Sequence, residues 1–298
     1  MLGTLVEIRA EGGDGLAAAL DAAFAEIEAC QAYLSAHQPT SDVRRLAATS
    51  PGVTLAVNER TWEVLSLALE FAAASDGIFD PTIAPRLAAA AYLPAELAGG
   101  EGDWRDLELL PEHRLRLRRP LAVDLGGIAK GYAVDRAVDV LLAHGVAAGC
   151  VNAGGDLRLF GSEAETIHLR HPADPTRLLP VGKLADGACA TSAPYFARRQ
   201  SGGRSLSPLV DPRDGSLLPD FDSVTVIAAR CVHADALTKV ALLLGDAAGP
   251  LLARYGAQAL RVDPAGRIIA LPAAGFIASS PVPSPVPCRL PSRVATGD

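Results

Sequence analysis

The sequence predicts an α/β (α+β) chain, and three observations carry that expectation. Apolar residues recur at the helical period in four long stretches, and short strand-like runs lie between and after them. The two types do not alternate strictly, so a simple doubly wound Rossmann chain is not expected. At 298 residues, 49% hydrophobic and 20% charged, the chain is long enough to bury a substantial core.

Residues 4–10 (TLVEIRA) read as a first strand. From Gly15 to Leu34 the apolar positions Leu16, Leu20, Ala23, Phe24 and Ile27 follow the helical period, and Trp62, Leu65, Leu69 and Phe71 repeat it within Thr61 to Ala74. The segment SDGIFDPTIAPRL then turns on Gly77 and two prolines before a short new start. Leu93 to Asp103 reads as a surface excursion, and Arg114 to Asp124 as two short strands broken at Arg119-Pro120. Tyr132 to His144 is helical and closed by Gly145. Val146 to Val151 and Leu157 to Phe160 are strands around an Ala153-Gly-Gly turn. Several strand-like pieces occupy 165–230, Val232 to Leu244 is a largely buried helix, and 259–263 with 267–271 form a strand pair. The expected organisation is a single domain over 1–278 and a Pro-rich, extended and mobile tail over 279–298.

Composition removes several classes. The formal net charge is −7 and there is no Lys/Arg run, so neither a nucleic-acid stripe nor a polybasic membrane patch is expected. Five dispersed cysteines lack any metal-ligand spacing and read as buried small hydrophobes. No apolar run approaches the roughly 20 residues of a membrane span. MLGTLVEIRA lacks the pattern of a signal peptide, so a cytoplasmic location is expected, or a periplasmic one if a leader was removed.

The strongest chemical signal is Asp124-Leu-Gly-Gly-Ile-Ala-Lys-Gly-Tyr-Ala-Val-Asp135. Gly126 and Gly127 stand after a strand and before a helix, where backbone N–H groups and the positive helix end face an anion. Lys130 adds a full charge for a phosphate or pyrophosphate. Asp124 is an anion at the same place, so a ring N–H, a ribose hydroxyl or a metal suits it better. Alone, the Gly pair is equally well a tight structural turn.

The context adds to this. LGTLVEI, YLSAHQPTSDVRRL, SDGIFDPTIAP, VDLGGIAKGYAVDRA, VNAGGDLRLFG, ATSAPY, VDPRDG and HADALTKVALLLG occur in this order, and the chain resembles the ApbE family collinearly from residue 2 to about 271. The resemblance implies a T-fold-related, two-lobed arrangement of mixed sheets and flanking helices that binds FAD across the lobes. In active members a divalent metal, typically magnesium, helps move the FMN half onto a Thr or Ser hydroxyl of an acceptor protein, with release of AMP.

Carried over by the resemblance, Ile78, Phe79 and Asp80 match the segment lining the flavin or adenine part. Asp124 and Lys130 match FAD contacts, and Val210 matches an apolar one. Gly127 matches a position offering its carbonyl to the metal, and Asp235 the metal-binding carboxylate. Helix capping is the alternative for Asp80 and Asp235, and core packing for Phe79 and Val210.

The chain departs from the family pattern at four places. Lys239 stands where a Thr ligand is usual, four residues after Asp235 and on the same helix face. Two readings follow: the Lys239 ammonium replaces the metal and faces the pyrophosphate, or it makes only an intrahelical pair and the site is dead. The first is the expectation. Pro208 stands where a His is usual, which leaves Asp211 as a candidate base, although an Asp in DPRDG is more often a turn-former. Leu2 and His37 replace a Met and a Tyr of the flavin pocket. The functional expectation is transfer of FMN from FAD to a protein hydroxyl, with Asp235, Lys239 and Asp211 as candidate catalytic residues. FAD binding without transfer and FAD pyrophosphatase activity are the alternatives.

Overall fold

The computed structural model describes residues 1–13, 15–161, 164–193, 199–201, 204–219, 222–272 and 293–295. Strand β1 (Val6–Glu11) leads into helix α1 (Leu16–Leu34), helix α2 (Asp42–Ala47), strand β2 (Thr54–Ala56) and helix α3 (Glu59–Ala74). Helix α4 (Ala84–Ala89), strands β3 (Leu107–Leu110) and β4 (Arg114–Leu117), helix α5 (Ala129–Ala143) and strands β5 (Ala148–Ala153) and β6 (Asp156–Phe160) follow. Next come β7 (Glu165–His171), β8 (Asp174–Leu184), β9 (Gly187–Ser192), β10 (Arg199–Ser201), β11 (Arg204–Asp211), β12 (Ser216–Pro219) and β13 (Ser223–Ala228). Helices α6 (Cys231–Leu244) and α7 (Gly249–Arg254) precede β14 (Gln258–Val262), β15 (Ile268–Leu271) and β16 (Arg293–Ala295).

The chain divides into two compact units. One comprises Met1–Glu28, Lys130–Phe196 and Asp222–Asp298, the other Ala29–Ala129 and Ala197–Phe221. The first unit is built on an eight-stranded sheet in the order β15-β14-β13-β9-β6-β5-β1-β16. Every described strand pairing is antiparallel, so the mixture of helices and sheets is of the α+β kind within the expected class. Hairpins make this possible, because antiparallel neighbours need only a short turn.

One of those turns sets the site. Gly154 (φ 67°) and Gly155 (φ 102°) form the two-residue link between Ala153 and its partner Asp156, the left-handed pair that a tight hairpin requires. A Cβ on Gly154 would also lie 2.3 Å from Thr4 Oγ1. The run therefore needs glycine twice over, and the first residue of the return strand is Asp156.

On one face of this sheet Val6, Ile8 and Val151 pack with Ala19, Ala23 and Ile27 of α1 and with Val134, Val138 and Leu141 of α5. The other face packs Cys150, Leu159 and Cys189 with Ile167 and Leu169 of the separate β7–β8 ribbon. Burial raises the thiols of Cys150 to about 11 and Cys189 to about 12, so both are held as inert thiols at neutral pH.

The second unit holds the three-stranded sheets β2-β4-β3 and β10-β11-β12 with helices α2, α3 and α4. Two expectations are corrected here. Arg114 to Asp124 yields only one strand, β4, because Pro120 offers no N–H to a ladder and Asp124 donates its N–H to Pro81 O at 2.8 Å instead. Helix α2 was not foreseen, although Ser41 caps it by accepting the Arg44 N–H at 3.2 Å.

Cys231–Arg254 is apolar and long enough to cross a bilayer by composition alone. In the structure α6 buries Val232, Ala236, Leu237, Val240 and Ala241, which is the pattern of a core helix. The Pro-rich run 280–287 lies outside the described residues, and within the tail Arg293–Ala295 pairs with β1.

Candidate functional site

The sequence-predicted residues fall into two groups, one in each unit. In the first unit the start of α5 lies against the start of α6. A Cβ on Gly131 would sit 2.3 Å from the Cys231 carbonyl oxygen, so only glycine permits this approach. The closeness lets the Gly131 N–H donate to Asp235 Oδ2 at 3.1 Å.

Around that contact sit two lysines and two aspartates. Lys130 Nζ lies 3.0 Å from Asp156 Oδ2 and 3.6 Å from Asp235 Oδ2. Lys239, one turn along α6, donates to Asp235 Oδ1 and, at 3.0 Å, to the Asp235 carbonyl. Asp156 also accepts the Thr191 N–H at 3.3 Å. Both carboxylates are almost fully buried, at 3% and 1% exposure, so each is a charge that water does not reach.

The electrostatics follow from burial and pairing. Burial alone would lower the Lys130 pKa, but the Asp156 and Asp235 charges outweigh it and raise it, so Lys130 stays cationic. Burial pulls Asp235 upward, and the two lysines together with the Gly131 N–H pull it further down. Asp156 is raised, first by burial and then by the Asp235 charge.

Asp235 is therefore a mid-helix ion-pair acceptor and not a helix cap. The N-cap position of α6 is Arg230, and the capping acceptor comes from α5: Asp135 Oδ1 and Oδ2 accept the Cys231 and Val232 N–H groups, each at 3.0 Å. Thr238 points elsewhere, donating to the Asp235 carbonyl at 2.7 Å and bonding Ser192 Oγ at 2.7 Å. Leu2 packs against the apolar core of this unit with φ at 54°.

A divalent cation at Asp235 does not fit this donor set. Both carboxylate oxygens already face ammonium groups, and Mg²⁺ needs open oxygen ligands in near-octahedral order. Among the described residues, no group of three or more His, Cys, Asp or Glu is placed to hold a metal.

In the second unit a cavity of about 590 Å³ is lined by Asp80, Thr82, Arg86, Asp103, Val210 and Arg213 among others. It brings together two of the sequence-predicted residues, Asp80 and Val210. Asp80 Oδ1 accepts both the N–H and the hydroxyl of Thr82, at 2.7 and 2.6 Å, and burial raises its pKa. It thus stiffens a turn, while the N-cap of α4 is Ile83. Phe79 is buried and tilted against Phe71 at 5.9 Å, so its ring is spent on packing. Ile78 is half-buried, and its N–H donates to Ser75 O at 3.2 Å.

Gly126 and Gly127 form the turn that enters α5, with Ile128 and Ala129 both donating to Leu125 O. Asp124 Oδ1 accepts the Gly126 N–H at 3.2 Å, so the acid caps the turn. His37 is exposed, and its backbone N–H bonds Ser35 Oγ at 3.2 Å. Asp211 is gripped by Arg213, whose Nε and Nη2 lie 2.9 and 2.6 Å from its two oxygens. That pairing lowers the Asp211 pKa. Pro208 sits where the β11–β12 register shifts, between Leu206 and Val210.

Sequence reasoning missed Asp156 and Asp135 as functional residues. Asp156 reads as the end of a hairpin turn, and Asp135 closes the Gly-Gly-to-Lys130 motif without a role of its own.

Comparison with known proteins places these observations. The family model described as the ApbE family matches residues 2–261. A Treponema pallidum protein called FAD:protein FMN transferase is 26% identical, the match covering 90% of this chain and 84% of that one. A Rhodobacter capsulatus protein of the same name is also 26% identical over 76% of this chain, but the match spans only 47% of its own length. Among solved structures, the ApbE protein of Thermotoga maritima superposes with a TM-score of 0.78 at 26% identity, covering 91% of this chain and 94% of that one. The flavin transferase ApbE of Vibrio cholerae gives 0.75 at 24% identity over 91% and 94%, a likeness of fold.

Proposed function

The chain belongs to the ApbE family, and from that premise we propose that it binds FAD and transfers the FMN half to a Thr or Ser hydroxyl of an acceptor protein. The bond formed joins the hydroxyl oxygen to the FMN-side phosphorus. The bond broken is from that phosphorus to the bridging oxygen, which leaves on AMP with the electron pair. The hydroxyl proton must pass to an acceptor group or water.

One observation supports the reading from this chain's own residues. Lys130 stands three residues after Gly127, in the first turn of α5, and is held charged by two buried carboxylates. Phosphoryl transfer asks mainly for positioning and neutralisation of charge, and a fixed ammonium contributes to both. Magnesium, which the family resemblance implies, finds no open carboxylate oxygen on Asp235. No step is therefore assigned to it.

The test is incubation of purified protein with FAD and a candidate acceptor protein, following AMP, FMN and flavin retained on protein after denaturation. Covalent flavin appearing in step with AMP is the expected result. Free FMN with AMP identifies a pyrophosphatase, and FAD that stays intact identifies a binding protein.

Asp211 provides a sharper check. A general base contributes on the order of 10²–10⁴-fold to a rate. The Arg213 clamp and the lowered pKa make Asp211 a poor proton acceptor. Asp211→Asn is expected to slow transfer by less than about tenfold, against that range. A loss of 100-fold or more in kcat, with FAD affinity kept, would restore Asp211 as the base.

A further inference from the structure

Asp235 is 1% exposed and meets more positive charge than one carboxylate requires. Lys130 and the Gly131 N–H approach Oδ2, at 3.6 and 3.1 Å. Lys239 takes Oδ1 and also the carbonyl oxygen of the same residue, the latter at 3.0 Å. An ammonium held by two oxygens of one residue is bound as a small cation is bound. Its stem is well sheltered, with the side chain only 15% exposed.

Charge balance points the same way. Lys130 and Lys239 against Asp156 and Asp235 sum to zero, so the cluster is formally neutral as it stands. Adding a divalent ion would leave two uncompensated positive charges beside buried groups, which low dielectric penalises. Without the Lys239 ammonium the same cluster would carry one negative charge and an open carboxylate oxygen.

We propose that Lys239 is the resident cation of this site: its ammonium takes the place of a divalent ion on Asp235, and the chain binds no divalent cation there. In the part that concerns turnover this rests on the transferase reading above, since processing of FAD then needs no added metal.

The test is titration with Mn²⁺, reading the free ion by its EPR signal, on the full-length protein and its variants. The wild type is expected to bind Mn²⁺ no more than a few-fold better than Asp235→Asn. Lys239→Thr is expected to bind at least tenfold tighter than the wild type, and to lose that gain when Asp235→Asn is added. Lys239→Met keeps an apolar stem and removes the charge, so it carries the same comparison if Lys239→Thr does not fold.

Two results of the Mn²⁺ titration would overturn the proposal. One is wild-type Mn²⁺ binding at least tenfold tighter than in Asp235→Asn. The other is folded Lys239→Thr and Lys239→Met proteins that gain no Mn²⁺ affinity. In parallel, AMP release from FAD is expected to persist within twofold in excess EDTA, and loss in EDTA with rescue by Mg²⁺ would also overturn it. If no AMP appears under any condition, the transferase reading fails while the Mn²⁺ titration still decides the cation.

Discussion

Lys130→Met is expected to destabilise the protein by about 3–5 kcal/mol, the range for removing one partner of a buried ion pair. The methionine keeps the apolar stem, so packing changes little and the loss reports the charge. What remains is Asp156 and Asp235, both buried, sharing the single ammonium of Lys239. Lys239 contacts Asp235, so Asp156 is left with the heavier penalty. Burial first, and then the Asp235 charge, already raise the Asp156 pKa, and losing the Lys130 ammonium removes what opposes them.

Chemical denaturation of four proteins apportions that energy. Wild type, Lys130→Met, Asp156→Asn and the double variant form a cycle whose coupling isolates the pair. Asp156→Asn is expected to recover a large part of the Lys130→Met loss, because the amide keeps an acceptor and sheds the charge. A coupling below about 0.5 kcal/mol would mean that Lys130 is an ordinary surface lysine. FAD binding is a separate readout. A phosphate-contacting lysine predicts weaker FAD binding even in the double variant, where stability has been restored.

The parts legible in the sequence are those that local physics decides. The long helices announced themselves by their apolar period, and the β5–β6 hairpin by two glycines that nothing else could replace. The Asp235–Lys239 pair was visible too, since spacing on a helix fixes which side chains meet. The Gly-Gly-to-Lys130 run announced a helix start, and α5 begins within it at Ala129. What was hidden depends on contacts distant along the chain. Asp156 becomes part of the cluster only because β6 pairs with β9, next to α6. The direction of the sheets was hidden for the same reason, because strand order is a long-range property. Asp80 illustrates a different limit: cap and ligand contact were both open from its sequence context, and the Thr82 hydrogen bonds show a third use of its carboxylate, stiffening a turn.

Asp135 was the least visible of all, and it carries the second large effect. Asp135→Ala is expected to cost about 3–5 kcal/mol, as for breaking a buried charge network. The competing view is that Asp135 merely caps a helix, and that role alone is worth about 0.5–2 kcal/mol. The structure decides between these magnitudes. Asp135 has no exposed surface and receives two backbone N–H groups of α6, at 3.0 Å each. It also pairs with Arg158 Nη1 at 3.0 Å and lies 3.4 Å from Arg230 Nε. Alanine would leave two helix donors without their acceptor. It would leave the guanidinium of Arg158 with Asp139, at 3.6 Å, as its remaining carboxylate. Asp135→Asn retains an acceptor oxygen but no charge, so its cost should fall between the cap value and the full network value. The consequence for function follows from position, because Asp235 and Lys239 ride on the helix that Asp135 anchors. Under native conditions, Asp135→Ala is therefore expected to weaken FAD binding in the molecules that remain folded, with hydrogen exchange accelerating first at Cys231 and Val232. Uniform exchange across α6, at wild-type FAD affinity, would show instead that sheet packing alone holds the helix in place.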